Sequence, residues 1–492
     1  MPFMGGVFYL PASTLQPVVP RAGLCFSEMP LNPPKSRLPL LAGRNYRCRC
    51  GQPVFFRNSK CLACGAPLGY DCERGVLLPL MAAPQADAAE HQKTRQLWWA
   101  WQAPPTTQQA QALQGATSEP AAQDPQIGVS AEDPAVWAPA ADPEPPLLQD
   151  IAGQQSAARD GVASTRQAAQ PVPHPDAAPI YKRCLNLATP ASCNWLISAE
   201  DPHDMCRACR LNRTIPDLTD PALPDNGYLW GLIELAKRRL VSSLIILKLP
   251  VASRMSEDTR HGLIFDFLRS PVNGPHVMTG HDTGLITLNV DEADDAKREA
   301  VRKAMREPYR TLLGHLRHEA GHYYWDRLIA DTPWLEGFHA LFGDESADYL
   351  GSLKRNYENG PPAGWQLHFV SAYASSHPWE DWAECWAHYL HMRDTVDTAL
   401  GFGLSVDQFD LEFTPFTIAA VYQPDHPEAM QFLAFLNHWT RLTTMLNELS
   451  RSMGQPDFYP FVLPLEVVAK LHFIHLVVTS RSCLPDAVPA AG

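Results

Sequence analysis

Residues 311 to 329 read T-L-L-G-H-L-R-H-E-A-G-H-Y-Y-W-D-R-L-I, and no other stretch of the chain restricts the fold so tightly. Leu312, Leu313 and Leu316 ahead of the H-E-x-x-H pattern, with Tyr323, Trp325, Leu328 and Ile329 behind it, have the spacing of a mostly buried helix. On such a helix His318 and His322 stand one turn apart on a single face. Both imidazoles then reach one zinc ion at about 2.0–2.1 Å. Glu319 projects just beside that face, placed to take a proton from a water activated by the metal. Two histidines and a glutamate can also share a helix as a polar seam. Here, however, His315, Arg317, His318, Glu319 and His322 crowd into an otherwise apolar helix, and a metal satisfies such a set directly.

The 12 cysteines are not spread as a disulfide framework would be. Eight fall into two compact groups, which in a chain lacking a recognisable secretory signal reads as metal binding. No apolar run reaches membrane-spanning length, so the expected setting is the cytoplasm, with no membrane partner. The net charge of −13 argues against a nucleic-acid-binding surface. At 492 residues and 45% hydrophobic content, the chain has room for two or more domains with a full core.

Residues 1 to 40 are rich in proline, and Cys25 has no near partner, as expected of an inert thiol. Residues 41–102 form a zinc-ribbon region in which Cys48, Cys50, Cys61 and Cys64 supply a first structural zinc. The C-x-C pair is tighter than the common C-x-x-C, so Cys72 is an alternative to Cys48. Residues 103–179 are Ala, Gln, Pro and Asp with few large apolar side chains, an insertion expected to be disordered, with a protein partner as a candidate that no motif in it supports. In residues 180–222, Cys184, Cys193, Cys206 and Cys209 make a second four-cysteine zinc site, with His203 as a spare ligand.

From 226 to 480 the pattern is that of a globular domain. Residues 228–242 read as an amphipathic helix, and L-I-I-L-K-L from Leu244 reads as a buried strand. G-L-I-F-D-F-L and G-L-I-T-L-N-V are further strands, and Leu285 to Val290 is the candidate edge along which an extended substrate pairs. The run from Asp291 is a charged helix with a solvated face. Residues 392–425 are mixed, 411–422 being strand or packing loop, and 428–453 and 464–479 are two closing helices.

A catalytic zinc keeps three protein ligands and one open position. Trp325 and Leu328 stand where a third histidine pattern would need Gly and His, so the third ligand is a later carboxylate. F-G-D-E-S-A-D-Y-L offers Glu345 and Asp348, which can equally be helix-start anions. H-P-W-E-D-W-A-E-C-W-A-H-Y-L-H offers Glu380 and Glu384 among Trp379, Trp382, Trp386 and Leu390, where a buried carboxylate needs a cation. His339, His388 and His391 read as core or surface histidines, as does His315, and Cys385 reads as packing.

These strings, together with C-G-Q-P-V-F-F-R-N-S-K-C-L-A-C-G-A-P-L-G-Y and C-R-A-C-R-L-N-R-T-I-P-D-L, resemble a bacterial family of zinc-binding metallopeptidases that join an N-terminal zinc-ribbon region to a gluzincin-type domain. The resemblance implies an α+β, helix-rich, zincin-like domain after a small zinc-ribbon region. It also implies one catalytic and two structural zinc ions, and a peptide or protein substrate. It makes Glu380 the third ligand beside His318 and His322, with Glu384 orienting a ligand histidine. Tyr373, seven residues upstream of Glu380, becomes the oxyanion donor, with His377 a weaker candidate, and Glu319 the general base. The competing expectation is a zinc-ribbon adaptor whose H-E-x-x-H site is vestigial and binds a partner without cleaving it.

Overall fold

The computed structural model describes residues 43–83, 96–101, 179–271, 274–305, 307–406 and 409–482. The proline-rich start with Cys25 lies outside them, as does the expected disordered insertion up to residue 178.

The first cysteine group sits on a two-stranded hairpin, β1 (Tyr46–Arg47) and β2 (Pro53–Val54), turned at Gly51 with φ +84°. A five-stranded antiparallel sheet follows, formed in the order β3 (Leu68–Asp71), β4 (Val76–Ala82), β5 (Trp98–Ala100), β6 (Ile180–Arg183) and β7 (Leu196–Ser198). Trp98 pairs with Tyr181 and Trp99 with Ile180, so the strands on either side of the long Ala/Gln/Pro stretch are direct neighbours. Both cysteine groups therefore belong to one folded unit. A bridge from Tyr70 to Trp195 brings the first and last strands together around a core of Leu68, Tyr70 and Trp195.

The second sheet combines β8 (Asn212–Thr214), then, after helix α1 (Asn226–Ile246), β9 (Ile264–Leu268), β10 (Gly280–Asp282) and β11 (Leu285–Asn289), in the order β10-β11-β9-β8. The apolar run at Leu244 is not a strand, because it completes α1. Nothing between residues 242 and 247 stops a helix, and a short apolar run carries no period of its own to separate the two states. The edge assignment also changes. β11 pairs with β9 on one side and β10 on the other, so the edge on this side of the sheet is β10, which the Thr283-Gly284 turn folds back with φ +48° and +88°.

The helical layer comprises α2 (Asp295–Met305), α3 (Leu312–Leu328), α4 (Trp334–Phe342), α5 (Tyr349–Asn359), α6 (Pro378–Gly401), α7 (Ala429–Ser452) and α8 (Leu465–Ser482). Helix α6 runs on through the first part of the stretch expected to be mixed, since Met392, Val396 and Ala399 keep its buried stripe going. Residues 411–422 form a packing loop with one 3-10 turn, Ile418–Ala420. Helices α7 and α8 cover the back of α6.

One carboxylate ties these layers together. Asp394 of α6 meets Arg44 ahead of β1 at 3.1 Å, Arg239 of α1 at 2.6 Å and Arg317 of α3 at 2.8 Å. Burial works against its charge, yet the three guanidinium groups hold it far below the usual carboxylate range. Its contribution to stability is therefore complete above pH of about 4 and lost only as pH falls toward its depressed folded value. Asp394→Ala leaves the buried Arg44 and Arg317 uncompensated and is expected to cost about 3–5 kcal/mol of unfolding free energy in urea denaturation at pH 7. A loss below about 1 kcal/mol would mean that the arginines do not depend on this carboxylate.

Candidate metal centre

Helix α3 begins at Thr311, whose Oγ1 accepts from the Gly314 backbone at 3.0 Å. Leu316, Ala320, Tyr324 and Leu328 bury its core face, leaving His315, His318, Glu319 and His322 on the side toward α6 and the sheet. Helix α6 begins at His377, whose ring accepts from the Trp379 backbone at 3.1 Å, with Pro378 in the first turn. Glu380 and Asp381 follow in that turn, where the exposed amides of the helix end favour carboxylates. Asp381 turns toward Lys470 of α8 at 2.6 Å, and Glu380 turns toward α3.

The two helices can approach because position 321 has no side chain. A Cβ there would lie 2.9 Å from the Ala383 Cα, and Trp382 Nε1 donates to the Gly321 carbonyl at 2.8 Å across the same contact. At this separation Glu380 Oε2 is 3.0 Å from His318 Nε2 and 3.5 Å from His322 Nε2, and the two imidazole nitrogens are 3.2 Å apart. Ligand atoms about 2.0–2.1 Å from a tetrahedral ion stand about 3.3 Å from each other. Glu380 Oε2 is moreover buried with no well-directed hydrogen-bond donor among the described residues. Two imidazoles, a carboxylate and that orphaned oxygen make a donor set that fits a divalent ion.

The surrounding contacts fix the ligand atoms. His318 Nδ1 lies 2.8 Å from Glu384 Oε1, and Ser371 Oγ donates to Glu384 Oε2 at 2.6 Å, which leaves His318 Nε2 to face the cluster. Burial opposes the Glu384 charge, yet His318 draws its pKa down to about 2. Tyr349 OH donates to Glu380 Oε1 at 2.5 Å, leaving the other oxygen to the histidines. The His322 ring packs on Trp379 with centroids 4.1 Å apart.

Glu319 is buried beside the cluster, with Oε1 3.2 Å from His315 Nε2. The His315 Nδ1 in turn reaches Glu292 Oε2 at 2.5 Å. Burial disfavours the charged imidazole, but Glu292 and Glu319 raise its pKa to about 9, while Glu292 falls to about 2 despite its own burial. The Tyr373 ring lies 5.9 Å from that of His318, and burial and the Glu380 charge keep its hydroxyl protonated well beyond the usual tyrosine range.

The other candidates are engaged elsewhere. Glu345 bonds His339 at 2.6 Å and is not in the group around His318, while Asp348 caps α5 by accepting from the Gly351 backbone at 3.0 Å. His377 uses one nitrogen on its helix cap and the other on the Ala347 carbonyl at 3.1 Å, so neither is left for an oxyanion. Cys385 donates to Asp381 at 3.5 Å as part of the packing. Cys48, Cys50, Cys61 and Cys64 converge, with sulfurs of Cys48 and Cys64 3.5 Å apart and those of Cys50 and Cys61 3.7 Å apart. Sulfurs about 2.3 Å from a tetrahedral zinc are about 3.8 Å apart. Cys72 instead faces Glu73 at 3.7 Å. Cys184, Cys193, Cys206 and Cys209 form the second, fully buried group, and His203 pairs with Asp201 outside it.

Three neighbours of the centre, His315, Tyr349 and Ser371, are not singled out by the sequence pattern. His315 was open to discovery, because it stands four residues before Glu319 on one helix face. Tyr349 and Ser371 come from loops and a helix start whose docking no local pattern reveals.

Comparison with known proteins agrees with this architecture. The sequence profile of the family described as "Putative zinc-binding metallo-peptidase" matches residues 226–477, just over half of the chain. A zinc-ribbon profile matches residues 45–105 and 156–220. The chain thus belongs to this family of zinc-binding metallopeptidases, with a zinc ribbon ahead of the peptidase domain. An uncharacterized protein of Mycobacterium bovis and another of Mycobacterium tuberculosis are each 44% identical to it over 313 residues, 62% of this chain and 84% of theirs. No solved structure matches the chain significantly. No helix among the described residues is long and apolar enough to cross a membrane.

Gly321→Ala tests the helix contact. The added methyl must push α3 away from Ala383, so zinc affinity at the His/Glu site should fall at least tenfold while the two cysteine sites keep their metal, as read by competitive chelation. Unchanged affinity would show that the helices do not set the ligand spacing.

Proposed function

We propose that this chain is a zinc-dependent peptidase in which His318, His322 and Glu380 hold the catalytic zinc, Glu319 is the general base and Tyr373 donates to the oxyanion. The observation that carries this reading is the convergence of three ligand atoms within 3.0–3.5 Å of one another, with Glu319 one residue from the first of them on the same helix. The four-cysteine groups at Cys48, Cys50, Cys61, Cys64 and at Cys184, Cys193, Cys206, Cys209 hold two structural zinc ions. Four thiolates leave no open position, so these sites staple and do not catalyse.

A zinc ion held by the two imidazoles and the carboxylate supplies Lewis acidity that polarises a water and the scissile carbonyl. Glu319, kept ionised despite its burial by His315 and its other imidazole neighbours, takes the proton of the attacking water and delivers it to the leaving amine. The Tyr373 hydroxyl stays protonated and donates to the oxygen on which negative charge develops. An extended peptide adds to the free edge of β10, next to α3, through main-chain hydrogen bonds.

Glu319→Gln removes the base while sparing all three ligands. Mass-spectrometric profiling of a peptide library should show kcat/KM lowered by roughly 10²–10⁴-fold with zinc content unchanged. Equal cleavage by wild type and variant, or none by zinc-loaded wild type, would contradict the peptidase reading and leave a metal-stapled binding protein.

A further inference from the structure

We infer that His315 and Glu292 are positioning residues that fix the Glu319 carboxylate and tie it to the substrate edge strand. The inference rests on the peptidase reading and adds to it how the base is held. Glu319 carries only 6% side-chain exposure, and its one hydrogen-bonding or ion-pair contact outside the ligand cluster among the described residues is His315 Nε2 at 3.2 Å. A glutamate has three side-chain torsions, so a base that must point at one water needs an outside contact to select its rotamer. His315 supplies that contact from one helical turn earlier.

His315 is itself held on its other nitrogen. Its Nδ1 meets Glu292 Oε2 at 2.5 Å, and the Glu292 Oε1 accepts from Thr279 Oγ1 at 2.5 Å. Thr279 Oγ1 also accepts from the Asn289 backbone at 3.0 Å, and Arg310 stands 3.7 Å from Glu292. Thr279 immediately precedes β10, and Glu292 lies in the turn that follows β11. Four side chains, Thr279, Glu292, His315 and Glu319, therefore run without a gap from the free sheet edge to the base. Neither His315 nor Glu292 belongs to the ligand group. A half-buried imidazole bonded to two carboxylates does more than fill space, since Leu or Met would fill it while leaving both carboxylates without that partner. The geometry gives both nitrogens directed partners, as a positioning role requires.

The test compares His315→Leu, which loses both bonds, with His315→Gln, which keeps an N–H donor within reach of Glu319. The zinc-loaded proteins would be crystallised, assayed on a cleaved library peptide and analysed for metal. His315→Leu should keep wild-type zinc content, lose roughly tenfold or more in kcat with KM within about twofold, and show the Glu319 side chain in a different rotamer. His315→Gln should restore the rotamer and most of kcat. A His315→Leu protein with wild-type kcat and an unmoved Glu319 would overturn the inference, as would His315→Gln impaired as badly as His315→Leu. Should His315→Leu not fold, Glu292→Gln decides the matter: a displaced Glu319 supports the pair and an unmoved one refutes it. Failure of the peptidase reading is separate, because it appears as wild type no better than Glu319→Gln, and the Glu319 rotamer still decides the role of the pair.

Discussion

The approach of α3 to α6 at Gly321 and Ala383 is the constraint from which the rest of the centre follows. Two histidines on one turn of a helix are preorganised by the helix alone, but the third member of the proposed centre, Glu380 Oε2, must come from elsewhere. It is delivered by a second helix whose first turn meets the middle of the first. Trp382, Trp386 and Tyr324 then fill the space on the core side of that contact, with Tyr324 stacked on Trp386 at 4.9 Å. Burial of these rings stabilises the pair of helices and, with it, the 3.0–3.5 Å spacing of Glu380 from the imidazoles.

The ribbon is part of this arrangement and not an appendage. Arg44 leaves the ribbon to share Asp394 with Arg317, the residue just before His318. The second cysteine group lies against α1, where Cys209 Sγ is 3.9 Å from Glu234 Oε2 and Glu234 pairs with Lys237 at 2.7 Å. A cluster of four thiolates with a divalent ion carries net negative charge, and Arg238 beside Glu234 on α1 is placed to balance it. The segment around the second cysteine group is thereby anchored on the domain that carries the histidines.

Much of the site was legible because its chemistry depends on fixed spacing. H-E-x-x-H, the two cysteine groups and the paired carboxylates at 380 and 384 all declare themselves through helix periodicity or knuckle spacing, and the structure gathers His318, His322 and Glu380 at one point and each set of four cysteines at another. Legibility failed where pairing in space decides the answer. Leu285 to Asn289 is a strand as read, but its place inside the sheet depends on the short β10, which has little pattern of its own. The run at Leu244 looked like a strand only because six apolar-rich residues have no period. The apolar surroundings of Glu380 favoured it over Glu345 in the sequence, and in space the first turn of α6 meets α3 while Glu345, in the loop after α4, bonds His339. His315 was set aside as one histidine among many, although its i,i+4 relation to Glu319 was already in the sequence.

The most direct test of the central claim is anomalous X-ray scattering at the zinc edge from crystals of the zinc-loaded protein. The account predicts three peaks per chain, one bonded by His318 Nε2, His322 Nε2 and Glu380 Oε2 and one inside each cysteine group. Peaks confined to the cysteine groups, or an ion bound to the two histidines with Glu380 turned away, would contradict it.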